Sequence, residues 1–255
     1  MRGLRGGLRP GLRGPLRGFG AGGGWTIGTT SPVLWTRAGV HVTSAGSPAV
    51  ASAWGDVRDD VAYTWAESEA EHRPVVGTDA RGPYLGFSDA TYKRMSCHAL
   101  GSLGGGTAVT IAIACEISGP PPPGATTKGL VEFTNSSTGL PLRLARYASA
   151  DRVRFERYNN ASAYAYIDAA SPAPFVGVLV ARYTGAALKL RANGTALSDA
   201  AASGALTTDR LWLGCLTGAS YFLTGLIREV VIWDRALTDP EAVTVDAHLR
   251  ALWSY

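Results

Sequence analysis

Cysteine, histidine and methionine are scarce, at three, four and two among 255 residues. Cys97, Cys115 and Cys215 form no CxxC pair, and His98 beside Cys97 has no further ligand at metal spacing. There is no HExxH segment and no Ser-His-Asp order, and the histidines are isolated. Cys115 and Cys215 sit inside the apolar runs TIAIACEI and LWLGCLTG, where the expectation is small buried hydrophobes. Long apolar runs are missing too. The longest, FVGVLVA at 175–181, is strand-sized, against the ~20 residues of a membrane helix. The basic first residues lack an unbroken apolar segment, so neither an export signal nor a transit peptide is expected. These absences exclude a zinc scaffold, a disulfide framework and a helical membrane protein.

Charge is unevenly distributed. Residues 1–24 hold five arginines (2, 5, 9, 13 and 17) and no acid, which gives them +5. Subtracting this from the chain's net +4 leaves −1 on residues 25–255. The near-neutral body argues against a broad nucleic-acid face. Arg-Gly segments do bind single strands, but they usually interleave aromatics, and here the interleaved residue is Leu. A nucleic-acid partner is not expected.

The chain divides at its glycines. Residues 1–24 are low-complexity and end in AGGG, a flexible joint; 25–255 read as one domain. GTAVTIAIACEI (106–117) predicts a strand buried on both faces. SGPPPPGATTKG (118–129) predicts a surface loop, because four successive prolines cannot join a ladder. In RVRFERY, alternation puts Val153, Phe155 and Arg157 on one face and Arg152, Arg154, Glu156 and Tyr158 on the other. FVGVLVARYTG is expected to pair with ALKLRANGTAL, whose Asn193-Gly194 suits a tight hairpin. Thr238 to Glu241 predicts a capping box, with Val245, Leu249, Leu252 and Trp253 forming one apolar stripe of a terminal helix. About a dozen short strands and one helix indicate an antiparallel sandwich.

Particular residues carry a resemblance. Leu34-Trp35, Gly39-Val40, Val50, Trp54, Asp56, Arg73-Pro74 and Leu85-Gly86-Phe87 resemble the opening of laminin-G-like, concanavalin A-like jelly-roll domains of bacterial and bacteriophage proteins. LKLRANGTAL is similar to a hairpin of that family. Gly225, Ile227, Glu229, Trp233, Arg235, Leu237, Glu241 and Leu249 follow its closing pattern. The resemblance covers about 31–253 and implies an all-β jelly-roll sandwich with a short C-terminal helix. Where the family often reads FDG, this chain has Gly86-Phe87-Ser88-Asp89. No cofactor is expected, and a rim calcium is left open.

Four features bear on chemistry. Glu67, Glu69 and Glu71 would share one face of a strand, as the carboxylates of laminarinase-type glycosidases do. The competing reading is a solvated acidic loop before Arg73-Pro74. Gly101–Thr107 lacks the Lys-Ser/Thr of a phosphate loop and is read as an inter-strand turn. Asn135, Asn160 and Asn193 open formal glycosylation sequons that are read as turn chemistry. Tyr147, Tyr158, Tyr164 and Tyr166 are candidate glycan platforms, with half-buried strand faces as the alternative. No catalytic residue is assigned, and the chain is expected not to be an enzyme.

The arm repeats with period four: Leu4-Arg5, Leu8-Arg9, Leu12-Arg13 and Leu16-Arg17. Extended, it would show a row of leucines on one side and a row of arginines on the other. Such a strip suits docking between subunits. Taken with this strip, the resemblance to bacteriophage jelly-roll proteins implies a non-enzymatic bacteriophage virion protein as the expected function, a capsid decoration, head fibre or tail-associated subunit located in the particle. The arm would contact other virion proteins, and the body would form a homo-oligomer, with a trimer the form expected. The alternative is a carbohydrate-binding adhesion module for host or environmental glycans; a glycoside hydrolase of the same fold is the third reading.

Overall fold

The computed structural model describes residues 31–255 apart from 47, 56–63, 99, 101–102, 104, 119–126, 136–140, 148–151, 161–162, 171–173 and 217–220. The whole Leu-Arg arm, the proline run and parts of the Gly101–Thr107 run and of two sequons lie outside these residues. Eighteen strands are described. They are β1 (Leu34–Arg37), β2 (Val42–Ala45), β3 (Val50–Gly55), β4 (Thr64–Ala66), β5 (Val75–Asp79) and β6 (Gly82–Phe87). Next come β7 (Met95–Cys97), β8 (Val109–Ile117), β9 (Thr127–Thr134), β10 (Leu142–Tyr147), β11 (Arg152–Asn160) and β12 (Ala163–Ala170). The last are β13 (Phe175–Tyr183), β14 (Ala187–Ala192), β15 (Thr195–Ala196), β16 (Ala200–Ala201), β17 (Arg210–Leu213) and β18 (Gly225–Trp233). One helix, α1 (Asp239–Trp253), follows.

Every pairing is antiparallel, and the ladder order resolves into two layers. The first runs β14-β13-β8-β18, with β1 and β6 sharing the other edge of β18 and β5 beyond β6. The second runs β12-β11-β10-β9-β17-β7-β4-β3-β2. A single Val50–Val75 pair bridges them through β3 and β5. The antiparallel sandwich expected from the strand pattern, and the jelly roll implied by the family resemblance, is the fold observed.

The core lies between the layers. Ile111, Ile113 and Cys115 of β8 meet Val131, Phe133, Leu144 and Phe155 of the second layer in one buried cluster. Ala112 and Ala114 of β8 face the other way, with Val178, Val180, Val231 and Trp233, and pack against Val245, Leu249 and Trp253 of α1. The helix thus covers the first layer's outer face, which is why β8 is apolar at every position but Thr110 and Glu116. All three cysteines are free and buried, as the apolar settings of Cys115 and Cys215 suggested for those two.

The local devices follow the sequence closely. Thr238 accepts a hydrogen bond from the Glu241 amide, and the Glu241 carboxylate accepts one from the Thr238 amide at 2.8 Å, completing the capping box. Asn193 and Gly194 both have positive φ (45° and 87°) between β14 and β15, as a tight hairpin requires. In β11, Val153 and Phe155 enter the core, and buried Arg157 on the same face donates to the Ala205 carbonyl at 2.7 Å.

Candidate functional site

Among the described residues no α-helix packs on the outer face of the second layer, and its alternate residues define what that face offers. Leu142, Leu144, Val153, Phe155 and Ile167 point into the core. Period-two alternation therefore sends Arg143, Arg154, Glu156, Tyr158, Tyr164, Tyr166 and Asp168 outward. Tyr147, four positions beyond Arg143 on β10, lies on that face by the same alternation and stands opposite Arg152 of β11.

The four tyrosines named from sequence do come together. The Tyr158 and Tyr164 rings stack with centroids 5.2 Å apart, and Tyr164 stacks on Tyr166 at 5.6 Å. The Arg154 guanidinium lies between two more ring faces, 4.4 Å from the Tyr147 centroid and 3.9 Å from that of Tyr166. Tyr164 and Tyr166 remain 47% and 46% exposed. An open cleft of ≈ 280 Å³ lies here, lined by Arg143, Tyr147, Arg154, Glu156, Tyr158 and Tyr164 and walled by Tyr221 and Leu216.

Its polar groups are cross-linked. Arg143 bonds Glu156 and donates to the hydroxyls of Tyr158 at 2.8 Å and Tyr147 at 3.3 Å. The Tyr147 hydroxyl donates to Glu156 Oε1 at 2.8 Å. Burial and the neighbouring Glu156 push the Tyr147 phenol well above its ordinary range, so it stays a donor. Arg154 clamps Asp168 with two hydrogen bonds of 2.7 and 2.9 Å. Burial opposes the Asp168 charge, but the Arg154 bonds outweigh it and hold the carboxyl below its usual range. The result is a rigid, ionised floor beneath exposed rings.

The three acids weighed for glycosidase chemistry do not line a strand face. β4 ends at Ala66, and Glu71 falls in a single 3-10 turn, Ala70–His72. Nor is the segment uniformly solvated: Glu67 is 8% exposed, bonded to Arg94 at 2.8 Å and to the Glu69 amide at 2.9 Å. Proximity to the Arg94 guanidinium, itself largely buried, drew this acid inward. Tyr221, Trp212 and Thr127 were not singled out from sequence, and only the alternation in β11 pointed to Arg154 and Glu156.

A profile of the concanavalin A-like lectin/glucanases superfamily matches residues 98–242, more than half of the chain. The chain belongs to that superfamily. The match spans β8 to β18 and therefore the whole tyrosine cleft. Among solved structures, the chain is similar to the binding domain of botulinum neurotoxin serotype G (TM-score 0.54, 6% identity, 85% of this chain, 51% of that chain). At that identity the likeness shows the fold, and the chain spans about half the toxin domain's length. It is also similar to the CBM40 module of the Ruminococcus gnavus IT-sialidase bound to α2,6 sialyllactose (TM-score 0.47, 16% identity, 58% of this chain, 87% of that chain). No curated protein matches the sequence.

Proposed function

We propose that this superfamily member is a carbohydrate-binding module and that its ligand sits in the tyrosine cleft. One observation carries the reading: two exposed, mutually stacked tyrosines stand beside a fixed lattice of donors and acceptors. Sugar rings have apolar faces that stack on aromatic rings and hydroxyl edges that need paired polar groups. A cleft with both, already cross-linked, binds with little ordering cost. Binding is favoured over hydrolysis because Glu156 is engaged by both Arg143 and Tyr147, leaving neither a mobile acid nor a base at the cleft floor. The test is a glycan array probed with the full chain. Binding to a defined glycan that Tyr164→Ala abolishes is expected, and no binding across the array would refute the reading.

Display of this module on a phage particle is a separate proposal, resting on the four-residue Leu-Arg period of residues 4–17. In it the arm docks on other virion subunits, the body faces outward, and the chain is located in the virion.

A further inference from the structure

We infer that Asn193 is a latent modification site: the closed corner of β13, β14 and β15 locks its carboxamide against deamidation, and opening of that corner lets water convert it irreversibly to aspartate or isoaspartate. Asn193-Gly194 is the one Asn-Gly pair in the sequence. A glycine after asparagine offers the least hindered amide nitrogen for attack on the asparagine side chain, because no Cβ stands in the way. In that reaction Gly194 N bonds to Asn193 Cγ, the Cγ–Nδ2 bond breaks, and ammonia leaves carrying the amide proton. One water then opens the cyclic imide at either carbonyl, giving aspartate or isoaspartate without oxidant or reductant.

The fold holds both reacting groups. Asn193 Oδ1 accepts from the Val178 amide at 2.8 Å and Nδ2 donates to the Val176 carbonyl at 3.0 Å, so the carboxamide is pinned to β13 at both ends. The Asn193 amide adds a bond of 2.9 Å to the Val178 carbonyl. The nucleophile is tied as well: the Gly194 amide donates to Asp246 Oδ1 of α1 at 3.3 Å, and Asp246 is held in turn by Arg250 at 3.1 Å. Asn193 is exposed, so water already reaches it and burial gives no protection. The hydrogen bonds are the protection. Attack on Cγ turns the carboxamide off β13 and takes the Gly194 N–H from Asp246, which confines the reaction to molecules whose corner has opened.

The product cannot restore the corner. An aspartate at 193 has no N–H for the Val176 carbonyl and sets an oxygen against it instead. It also brings a second negative charge to a turn whose next amide is already bonded to Asp246. Isoaspartate adds a methylene to the main chain of a two-residue turn, across which Ala192 pairs with Thr195. Either form loses the stitch between β14 and β13, whose own pairing runs only from Leu179 to Tyr183. The other neighbours of β14 are β15 and β16, strands of two residues each. An opening that ends in deamidation therefore leaves a permanent weakness at this edge of the first layer.

The experiment incubates the full chain at neutral pH, folded and in concentrated urea, and follows the Asn193 peptide by mass spectrometry that resolves asparagine, aspartate and isoaspartate. Deamidation is expected to be slower in the folded chain by about tenfold or more, equivalent to an opening free energy of at least ~1.4 kcal/mol. Gly177→Ala, whose Cβ would lie 1.7 Å from Asn193 Oδ1, should raise the folded-state rate several-fold by pushing the carboxamide off β13. A wild-type series in sub-denaturing urea needs no variant: the rate should climb in step with hydrogen exchange at the Val178 amide, which the same opening exposes. Deamidated chain isolated by anion exchange should melt below the intact chain. Equal rates in the folded and unfolded chain, or deamidation that outruns exchange at Val178, would overturn the lock. An unchanged melting temperature after deamidation would overturn the permanent weakness.

Discussion

Trp253 and Glu229 meet on the outer face of the first layer, where the indole Nε1 donates to Glu229 Oε2 at 2.8 Å. The same carboxylate accepts from Trp35 Nε1 at 2.5 Å and from Arg37 at 2.9 and 3.1 Å, and it is fully buried. One ionised side chain therefore ties β1, β18 and the last turn of α1 together. Glu229→Ala strands the Arg37 charge and two indole donors, so a loss of about 3 kcal/mol or more is expected. Urea unfolding followed by tryptophan fluorescence would measure it, and a loss below about 1 kcal/mol would show that the carboxylate is not the tie.

Glu241 makes the helix N-terminus sensitive to acid. Its hydrogen bonds to Arg235, together with those to Thr238, outweigh burial and lower its pKa from 4.5 to about 2. A carboxylate depressed in the folded state contributes stability that is complete above its unfolded pKa and fades as pH falls through the folded one. Thermal melts of the wild type should therefore decline from about pH 4.5 down to about pH 2. Glu241→Gln should flatten part of that decline, and Thr238→Ala should cost about 1 kcal/mol at neutral pH. An unchanged acid limb in Glu241→Gln would assign the decline to other acids.

What could be read in the sequence was what local chemistry decides. The capping box, the Asn193-Gly194 turn, the doubly buried β8 and the two-faced β11 each follow from a few adjacent residues. The tyrosine quartet was visible because period two puts Tyr164 with Tyr166 on one side of β12, and Tyr158 faces Tyr164 across the ladder. The place of Trp212 was not visible. It depends on β17 inserting between β7 and β9, a pairing between segments more than seventy residues apart. The burial of Glu67 was equally hidden, since it depends on Arg94 arriving from another strand's approach.

The Asn193 side chain stitches β14 to β13, with Oδ1 accepting from the Val178 amide at 2.8 Å and Nδ2 donating to the Val176 carbonyl at 3.0 Å. It fits there because Gly177 has no Cβ; one would lie 1.7 Å from Asn193 Oδ1. Gly177 also has φ +150°, which L side chains rarely adopt. Gly177→Ala should therefore cost about 2–4 kcal/mol through lost hydrogen bonds and strain. Because Asn193→Ala removes the obstacle, the double variant should lose less than the two single losses combined. Strict additivity in denaturant unfolding would argue that the two positions do not interact.

If residues 1–24 dock the chain on a particle, their removal should separate assembly from folding. The deletion takes away the arm's five arginines and all four Leu-Arg pairs and leaves the near-neutral body. The truncated chain is expected to keep its melting temperature within a degree or two and to disappear from purified particles. Replacing Leu4, Leu8, Leu12 and Leu16 by Ser should weaken incorporation at every salt concentration, because the lost contacts are apolar. Replacing Arg5, Arg9, Arg13 and Arg17 by Gln should matter less as salt rises. Normal incorporation of the truncated chain would end the docking proposal.

Tyr164 and Tyr166 allow binding to be separated from stability. Both rings are nearly half exposed and neither belongs to the buried core, so truncation should change unfolding free energy by about 0.5 kcal/mol at most. The Tyr164 ring, however, is stacked between Tyr158 and Tyr166 and forms the centre of the aromatic surface. Tyr164→Ala removes one stacking surface and leaves the other two rings without their shared neighbour. A loss of about tenfold or more in glycan affinity is expected, with Tyr164→Phe close to wild type because the ring, not the hydroxyl, makes the stack. Arg154→Lys provides the opposite control. It keeps the charge but loses the two-pronged grip on Asp168 and the flat contact with Tyr147 and Tyr166, so affinity should fall although no sugar-stacking ring has been removed. If both substitutions left glycan binding intact, the ligand would have to sit elsewhere on the domain.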